Sequence, residues 1–267
     1  MTADRDPIDV GALRAAVAPA GWRRVDVVDE TGSTNADLIA RAASGEDIAG
    51  AVLIAEHQTA GRGRNGRTWT AVPRAQLTVS AAVDTTGVPA EAWGWIPLLT
   101  GLAVVDAVAE VAGVRSGVKW PNDVLAGPQA GKLAGILAEV ASPQSIVVVG
   151  LGLNVSLAAD ELPTAEATSL GLLGAETVDR TALAAALLRA LSAGVAPLAS
   201  GVDDALVARY TAASLTIGLT VRATLPGDRA IVGQAVGVDD QGRLRIEADG
   251  ETVTVSAGDI VHLRPVF

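Results

Sequence analysis

The sequence predicts an α+β fold with a small C-terminal β-barrel of the SH3-like type. Apolar spacings of helical and strand type alternate from Val10 to about residue 213. From Ser214 onward, β-branched residues alternate between turns and the helical period is lost. The 267 residues, 49% of them apolar, are enough for one large domain with a small companion. Val10 to Val17 has the period of a short helix, and WRRVDVVD at 22–29 alternates like a strand. Gly32-Ser33-Thr34-Asn35 leads into ADLIARAAS; Thr34 with Asp37 resembles a capping box, and Gly45 stands past the expected helix end. AVLIAEH at 51–57 reads as a strand, followed by a glycine- and arginine-rich loop from Gln58 to Thr68, and QLTVSAAV at 76–83 as another strand. Between Pro89 and Gly113 the spacing of Trp93, Ile96, Leu99, Val104, Val108 and Val111 predicts a long helix with a buried face. Three strands are expected around 117–120, 132–140 and 145–151, punctuated by Pro-Asn-Asp, Gly-Pro and Ser-Pro-Gln-Ser turns, then two helices over 180–213. Turns at Pro226-Gly227-Asp228, Asp239-Asp240-Gln241-Gly242 and Asp249-Gly250 then separate four or five strands in about fifty residues, which is the barrel signal. The expected division is 1–213 and 214–267.

Composition excludes several chemistries. Without cysteine there are no disulfides, thiolate nucleophiles or zinc ribbons, and His57 and His262 alone do not make a histidine-rich metal site. No uninterrupted apolar run reaches the roughly 18 residues of a membrane span, because Asp106 and Glu110 break one candidate and Arg189 another. MTADRDPIDV lacks the apolar core of a secretory signal, so a cytoplasmic location is expected. A net charge of −10 repels nucleic acid and anionic membranes, and neither is expected as a partner. An anionic ligand therefore needs a local cationic cluster, and Arg62, Arg64 and Arg67 supply one. All but two of the 20 basic residues are arginine. The exceptions, Lys119 and Lys132, are candidates for roles that need a compact point charge.

Gly61-Arg62-Gly63-Arg64-Asn65-Gly66 matches the dinucleotide fingerprint, but that motif must open a helix, and RTWTAVPR follows with no helical period. Arginine side chains rather than a helix dipole then hold the anion. Lys119-Trp120-Pro121-Asn122-Asp123-Val124 sets a cation, an aromatic, a rigid turn and a carboxylate side by side. Gly131-Lys132-Leu133-Ala134-Gly135-Ile136-Leu137 puts the second lysine at the head of an apolar strand. With period two, Lys132 is expected to share a face with Ala134, Ile136 and Ala138, where it must snorkel to solvent or meet a buried anion.

GSTN at 32–35, HQTAGRGRNGRTW at 57–69, KWPNDV at 119–124, GKLAGIL at 131–137 and GLGLNV at 150–155, in that order, resemble the biotin protein ligase family over nearly the full chain. The resemblance implies a class II synthetase-like catalytic domain, a mixed sheet flanked by helices, ahead of the small barrel. It implies ATP and biotin as substrates with Mg²⁺, formation of biotinyl-5′-AMP and pyrophosphate, and transfer to a lysine of the biotin carboxyl carrier domain of acyl-CoA or pyruvate carboxylases. Asn65 departs from the family, where many members carry arginine. Only 32 residues precede Ser33, too few for the winged helix of bifunctional members.

The resemblance assigns Lys132, Arg64, Asp123 and Lys119 to catalysis. Lys132 bridges the biotin carboxylate and the α-phosphate, Arg64 closes with its loop over the adenylate, and Arg62 holds backbone and ligand geometry. Ser33, Thr34, Asn35 and Gln58 are implied biotin partners, with Gly61 in the loop and Gly135, Gly150 and Gly152 where backbone approaches biotin and ribose. Trp69 is implied to stack on adenine, while Arg67, Lys119, Asn122 and Asn154 contact the nucleotide. Asp123 is implied to orient the incoming amine and is the candidate Mg²⁺ ligand. A lipoate ligase-like acyl transferase shares the fold and is the nearest alternative. A biotin-sensing transcriptional regulator fits the charge poorly, and an SH3-like adaptor explains only the last fifty residues or so.

Overall fold

A computed structural model describes residues 5–142, 145–175, 177–224, 230–256 and 263–265. Helix α1 (Val10–Val17) is capped by Asp9, whose carboxylate accepts from the Ala12 amide. Strand β1 (Arg24–Thr31) follows; it starts two residues later than its alternation suggests, because Trp22 is buried with its indole N–H donating to the Leu188 carbonyl at 2.9 Å. Helix α2 (Thr34–Ala43) is capped by Ser33 rather than Thr34. Ser33 is the extended residue, with φ −159°, while Asp37 accepts from Thr31 Oγ1 instead of completing a capping box.

Strand β2 (Ala51–Gln58) leads into a tight hairpin of β3 (Gly61–Arg62) and β4 (Thr68–Trp69), so the glycine-arginine loop is closed by its own ladder. After β5 (Gln76–Asp84), a 3₁₀ turn over Ala90–Gly94 precedes α3 (Trp95–Ala112), which Gly113 ends at φ +64°. Strands β6 (Ser116–Lys119), β7 (Asp123–Ala126), β8 (Gly131–Ala141) and β9 (Ile146–Asn154) form an antiparallel meander. The sequence reading missed β7, because four residues between two turn signals carry too little period to register. Helices α4 (Arg180–Val195) and α5 (Asp204–Ala213) complete the first unit.

The seven-stranded sheet has the order β1-β2-β5-β9-β8-β7-β6; β1 and β2 are parallel and the other pairs antiparallel. One face is covered by α1, α3 and α4, and its core includes Leu13, Val52, Ile54, Leu99, Leu151 and Leu187. The stretches Ala90–Ala112 and Arg180–Ser200 are long and apolar enough to cross a membrane when a charge or two is tolerated. Here they are the core helices, with α3 and α4 packed on each other and α3 on the sheet. The opposite face carries α2, where Leu38 and Ala42 pack on Leu53, Ala82 and Val148. Beyond α2 this face turns small and polar, and the site lies there.

Strands β10 (Thr220–Thr224), β11 (Ala230–Val238), β12 (Leu244–Ala248), β13 (Glu251–Val255) and β14 (Leu263–Pro265) form an antiparallel sheet in the order β13-β12-β11-β10-β14. Of its expected turns, Pro226-Gly227-Asp228 lies outside the described residues. The turn at 239–242 docks on the first unit. Trp95 Nε1 donates to the Asp239 and Asp240 carbonyls, and Trp120 Nε1 donates to the Gly242 carbonyl at 2.9 Å. Thr216 Oγ1 accepts from the Trp120 amide at 3.0 Å. Trp120→Phe removes the pyrrole ring with its N–H from a fully buried site and strands the Gly242 carbonyl, at a cost of about 1–3 kcal/mol for the carbonyl, to which the cavity adds in the same direction. At roughly 2–4 °C per kcal/mol for a chain of this size, a melting temperature several degrees lower is expected in a thermal scan. An unchanged midpoint would show that the indole N–H contributes nothing to docking.

Candidate active site

The register places Thr78 and Ser80 of β5 beside Gly152 and Gly150 of β9, with Gly135 of β8 beyond Gly152. Three glycines, a serine and a threonine side by side leave a trough, where large apolar side chains would fill a sheet face. The indole of Trp69, delivered by the β3–β4 hairpin, lies in it over Gly135 and Gly152; a Cβ on Gly152 would overlap the ring, and one on Gly135 would come within 3.0 Å of it. A Cβ on Gly150 would overlap the Asn35 amide. Protein side chains thus lie against all three glycines in this structure. The indole N–H of Trp69 is buried without an acceptor. Gly152→Ala should displace the indole and raise the KM for nucleotide about tenfold or more, the equivalent of about 1.4 kcal/mol, with circular dichroism unchanged. Steady-state kinetics at wild-type values would refute the packing role.

At one end of the trough four predicted residues converge. A β-bulge in the β7–β8 pairing, with Val124 opposite Ala134 but Leu125 opposite Lys132, reverses the face of Lys132. Lys132 therefore lies over Gly135, with Nζ 3.4 Å from where a Cβ would stand, and does not share the face of Ala134 and Ile136. Period-two counting fails here because one extra residue is inserted. Lys132 Nζ forms an ion pair with Asp123 Oδ1 at 2.7 Å and lies 5.8 Å from the Trp69 ring centroid, within cation–π range. Arg64 Nη1 donates to Asn122 Oδ1 at 3.4 Å, and Asn122 is fixed by exchanging hydrogen bonds with Ile136. Burial lowers the Arg64 guanidinium from its ordinary value; the Asp123 charge opposes this shift and Arg67 adds to it. Lys119 is the cross-strand partner of Asp123, but among the described residues the carboxylate takes Lys132 rather than Lys119 as its ion-pair partner.

A polar chain runs along the other end. Gln58 Oε1 accepts from both the amide and the hydroxyl of Thr34, at 2.8 and 3.0 Å. The fully buried Ser80 hydroxyl stands 2.6 Å from Thr34 Oγ1 and from Asn35 Oδ1. Asn35 Nδ2 donates to the Leu137 carbonyl and to Glu139 Oε2, and the same carboxylate oxygen accepts from Arg62 at 3.0 Å. Ser33 is occupied as the helix cap. In the hairpin, the Gly63 amide donates to the Arg67 carbonyl at 2.7 Å, with the Arg67 side chain exposed. A Cβ on Gly61 would overlap the Trp69 carbonyl, and Asn65 sits at φ +55°, a left-handed conformation that asparagine tolerates better than arginine.

Asn154 has three partners within the protein. Its Nδ2 donates to the carbonyls of Thr168 and Lys132, and its Oδ1 accepts from Gln76 Nε2 at 2.9 Å. Gln76 also holds the chain beyond Trp69, donating to the Thr70 carbonyl and accepting from the Val72 amide. Asn154 and Gln76 thus fix the segments that carry Lys132 and Trp69. Sequence reasoning missed Gln76, Ser80 and Glu139. Glu139 was recoverable as the polar residue two and four places beyond Leu137 and Gly135 on one face. Asp123, the candidate Mg²⁺ ligand, is paired with Lys132, and among the described residues no three histidine, aspartate or glutamate side chains gather around one point, so any Mg²⁺ here would be held largely by nucleotide phosphates rather than by a protein cage.

Residues 30–155 match the Biotin/lipoate A/B protein ligase family, and residues 216–263 match the Biotin protein ligase C terminal domain. The biotin–[acetyl-CoA-carboxylase] ligase of Mycobacterium tuberculosis (strain ATCC 25618 / H37Rv) is 55% identical over 265 residues, 97% of each chain. The bifunctional ligase/repressor BirA of Escherichia coli K12 is 32% identical over 240 residues, covering 88% of this chain and 73% of that one. Among solved structures, the biotin protein ligase from Aquifex aeolicus in complex with biotin and ATP superposes with a TM-score of 0.77 at 26% identity, covering 92% of this chain and all of that one. Two family domains matched in order, and a ligase relative aligned from end to end, establish that the chain belongs to the biotin protein ligase family.

Proposed function

We propose that this chain joins biotin to ATP as biotinyl-5′-AMP, releasing pyrophosphate, and then transfers the biotinyl group to a lysine of a biotin carboxyl carrier domain in acyl-CoA or pyruvate carboxylases. The observation that carries this reading is the meeting of Lys132 and Arg64 around Asp123, at the end of a trough that holds the Trp69 indole. A carboxylate and a phosphate repel each other, and fixed cations in a part-buried site stabilise the charge that builds up as they join. Lys132 would bridge the two anions, Arg64 would close over the adenylate, and Arg62, tied to Glu139, would steady the hairpin. Ser33, Thr34, Asn35 and Gln58 supply the polar wall for the ureido group, beside Gly61, Gly135, Gly150 and Gly152. Trp69 would stack on adenine, and its unpartnered indole N–H invites a ligand acceptor. Arg67, Lys119, Asn122 and Asn154 would complete the nucleotide side.

Asp123 would receive the carrier amine, which must shed a proton before it attacks the anhydride. Every step is assigned to side chains, and none to a protein-bound metal. Mass spectrometry of a carrier domain incubated with the protein, ATP, Mg²⁺ and biotin should show one biotinyl addition. Addition of lipoate instead, in a parallel reaction, would replace this reading with the lipoate ligase alternative. Arg64→Gly should still form the adenylate but release it, labelling a bystander protein several-fold more than wild type does. Equal bystander labelling would remove the lid role.

A further inference from the structure

We infer that Ser80 is a positioning residue for biotin: it draws the Thr34 hydroxyl proton to itself and so leaves Gln58 Oε1 as an acceptor for a ligand N–H. This rests on the ligase reading above, which gives Ser80 no role. Gln58, Thr34, Ser80 and Asn35 form a chain with exposures of 8%, 2%, 0% and 3%, so its hydrogen bonds must close without solvent. Both ends of the chain are fixed as acceptors. Gln58 must turn Oε1 to Thr34, because the Thr34 amide, 2.8 Å away, can only donate. Asn35 must turn Oδ1 to Ser80, because its Nδ2 meets the Leu137 carbonyl at 3.1 Å and Glu139 Oε2 at 2.9 Å.

Between those ends stand two hydroxyls and three oxygen–oxygen contacts: Gln58 to Thr34 at 3.0 Å, Thr34 to Ser80 at 2.6 Å and Ser80 to Asn35 at 2.6 Å. Each contact needs one proton, and two hydroxyls bring only two. The closest contacts hold them best, since oxygens 2.6 Å apart repel without a proton between them. Ser80 then donates to Asn35, Thr34 donates to Ser80, and the missing proton is the one at Gln58. A ligand N–H on Gln58 Oε1 supplies it, and Gln58 is the most exposed of the four. The ureido ring of biotin carries two N–H groups. A site completed only by such a donor rejects an isostere that lacks it. Without Ser80 the Thr34 proton stays on Gln58, and the ligand donor meets an oxygen that already holds two.

Calorimetry on the full chain without ATP compares biotin with its two cyclic carbamates, each bearing a ring oxygen in place of one ureido N–H. In wild type at least one carbamate should bind about tenfold or more weakly than biotin, the worth of one hydrogen bond. In Ser80→Ala that gap should shrink to within about threefold, while Ser80→Thr, which keeps the hydroxyl, should restore it. Ser80→Cys, similar in size but a weak donor, should also narrow the gap and serves if the alanine variant does not fold. Each ratio is taken within one protein, so a general loss of affinity or stability cancels. The wild-type gap retained in Ser80→Ala or Ser80→Cys, or no gap in a wild type that binds biotin, would overturn the inference and leave the ligase reading standing. A wild type that binds no biotin would overturn that reading, and the inference with it.

Discussion

Lys132→Ala is expected to lose biotin-dependent exchange of pyrophosphate into ATP by a factor of about 10²–10³, equivalent to roughly 3–4 kcal/mol of lost charge stabilisation. Two effects add in the same direction. The cation that would span carboxylate and phosphate is gone, and the Asp123 carboxylate, paired at 2.7 Å in the parent, is left in the site as an uncompensated negative charge facing incoming anions. Lys132→Arg should recover little, because a planar fork cannot replace a compact ammonium seated over Gly135 and against the Trp69 ring. The Lys132→Ala–Asp123→Asn double variant should exchange faster than Lys132→Ala alone, since it removes the stranded charge. Exchange within tenfold of wild type for Lys132→Ala would exclude the lysine from the first half-reaction. Circular dichroism is the control, and little change is expected, because Lys132 projects into the trough and not into the core.

Residue types with narrow uses make part of this site legible in the amino-acid order alone. Glycines, arginines and the two lysines are such types, and their clustering marks the hairpin, the β6–β7 turn and the head of β8. Long apolar periods mark α3 and α4 in the same way. What escapes depends on register. One inserted residue opposite β7 turns Lys132 from the helix-covered face to the trough, and no count along a single strand detects an insertion defined by its neighbour. Ser80 and Gln76 sit in a strand whose alternation is drowned by burial on both faces, so a hydroxyl at the centre of a polar chain reads as an ordinary strand residue. Asn154 shows the opposite case. Its motif is legible, but its amide holds the Lys132 carbonyl and Gln76, which only the fold reveals.

Arg180→Ala is expected to cost about 3–5 kcal/mol of stability, the range for breaking one side of a buried ion pair. Arg180 and Glu56 are 6% and 5% exposed and lie 2.7 Å apart, linking the start of α4 to β2 beneath the sheet. Each holds a further segment: Arg180 donates to the carbonyls of Asp6 and Gln76, and Glu56 Oε1 accepts from the Ile8 amide at 2.7 Å. Truncating the arginine leaves a buried carboxylate without its counter-charge and frees both carbonyls. At roughly 2–4 °C per kcal/mol, a melting temperature lower by about 10 °C follows. Exposed pairs such as Arg189–Glu110 should contribute about 0–1 kcal/mol by comparison. The penalty belongs mainly to the orphaned charge rather than to the bond. Arg180→Met combined with Glu56→Leu should therefore recover much of the loss, and the double-mutant cycle would give a coupling energy of opposite sign to the single losses. Because Gln76 lies between this pair and Asn154, Arg180→Ala should also weaken nucleotide binding below the melting transition, an effect the double variant should share, since it too lacks the donor to the Gln76 carbonyl. Recovered stability with nucleotide binding still impaired would separate the two roles of Arg180. A single variant within 1 kcal/mol of wild type in thermal unfolding would show instead that water reaches Glu56 and that the pair is not buried in solution.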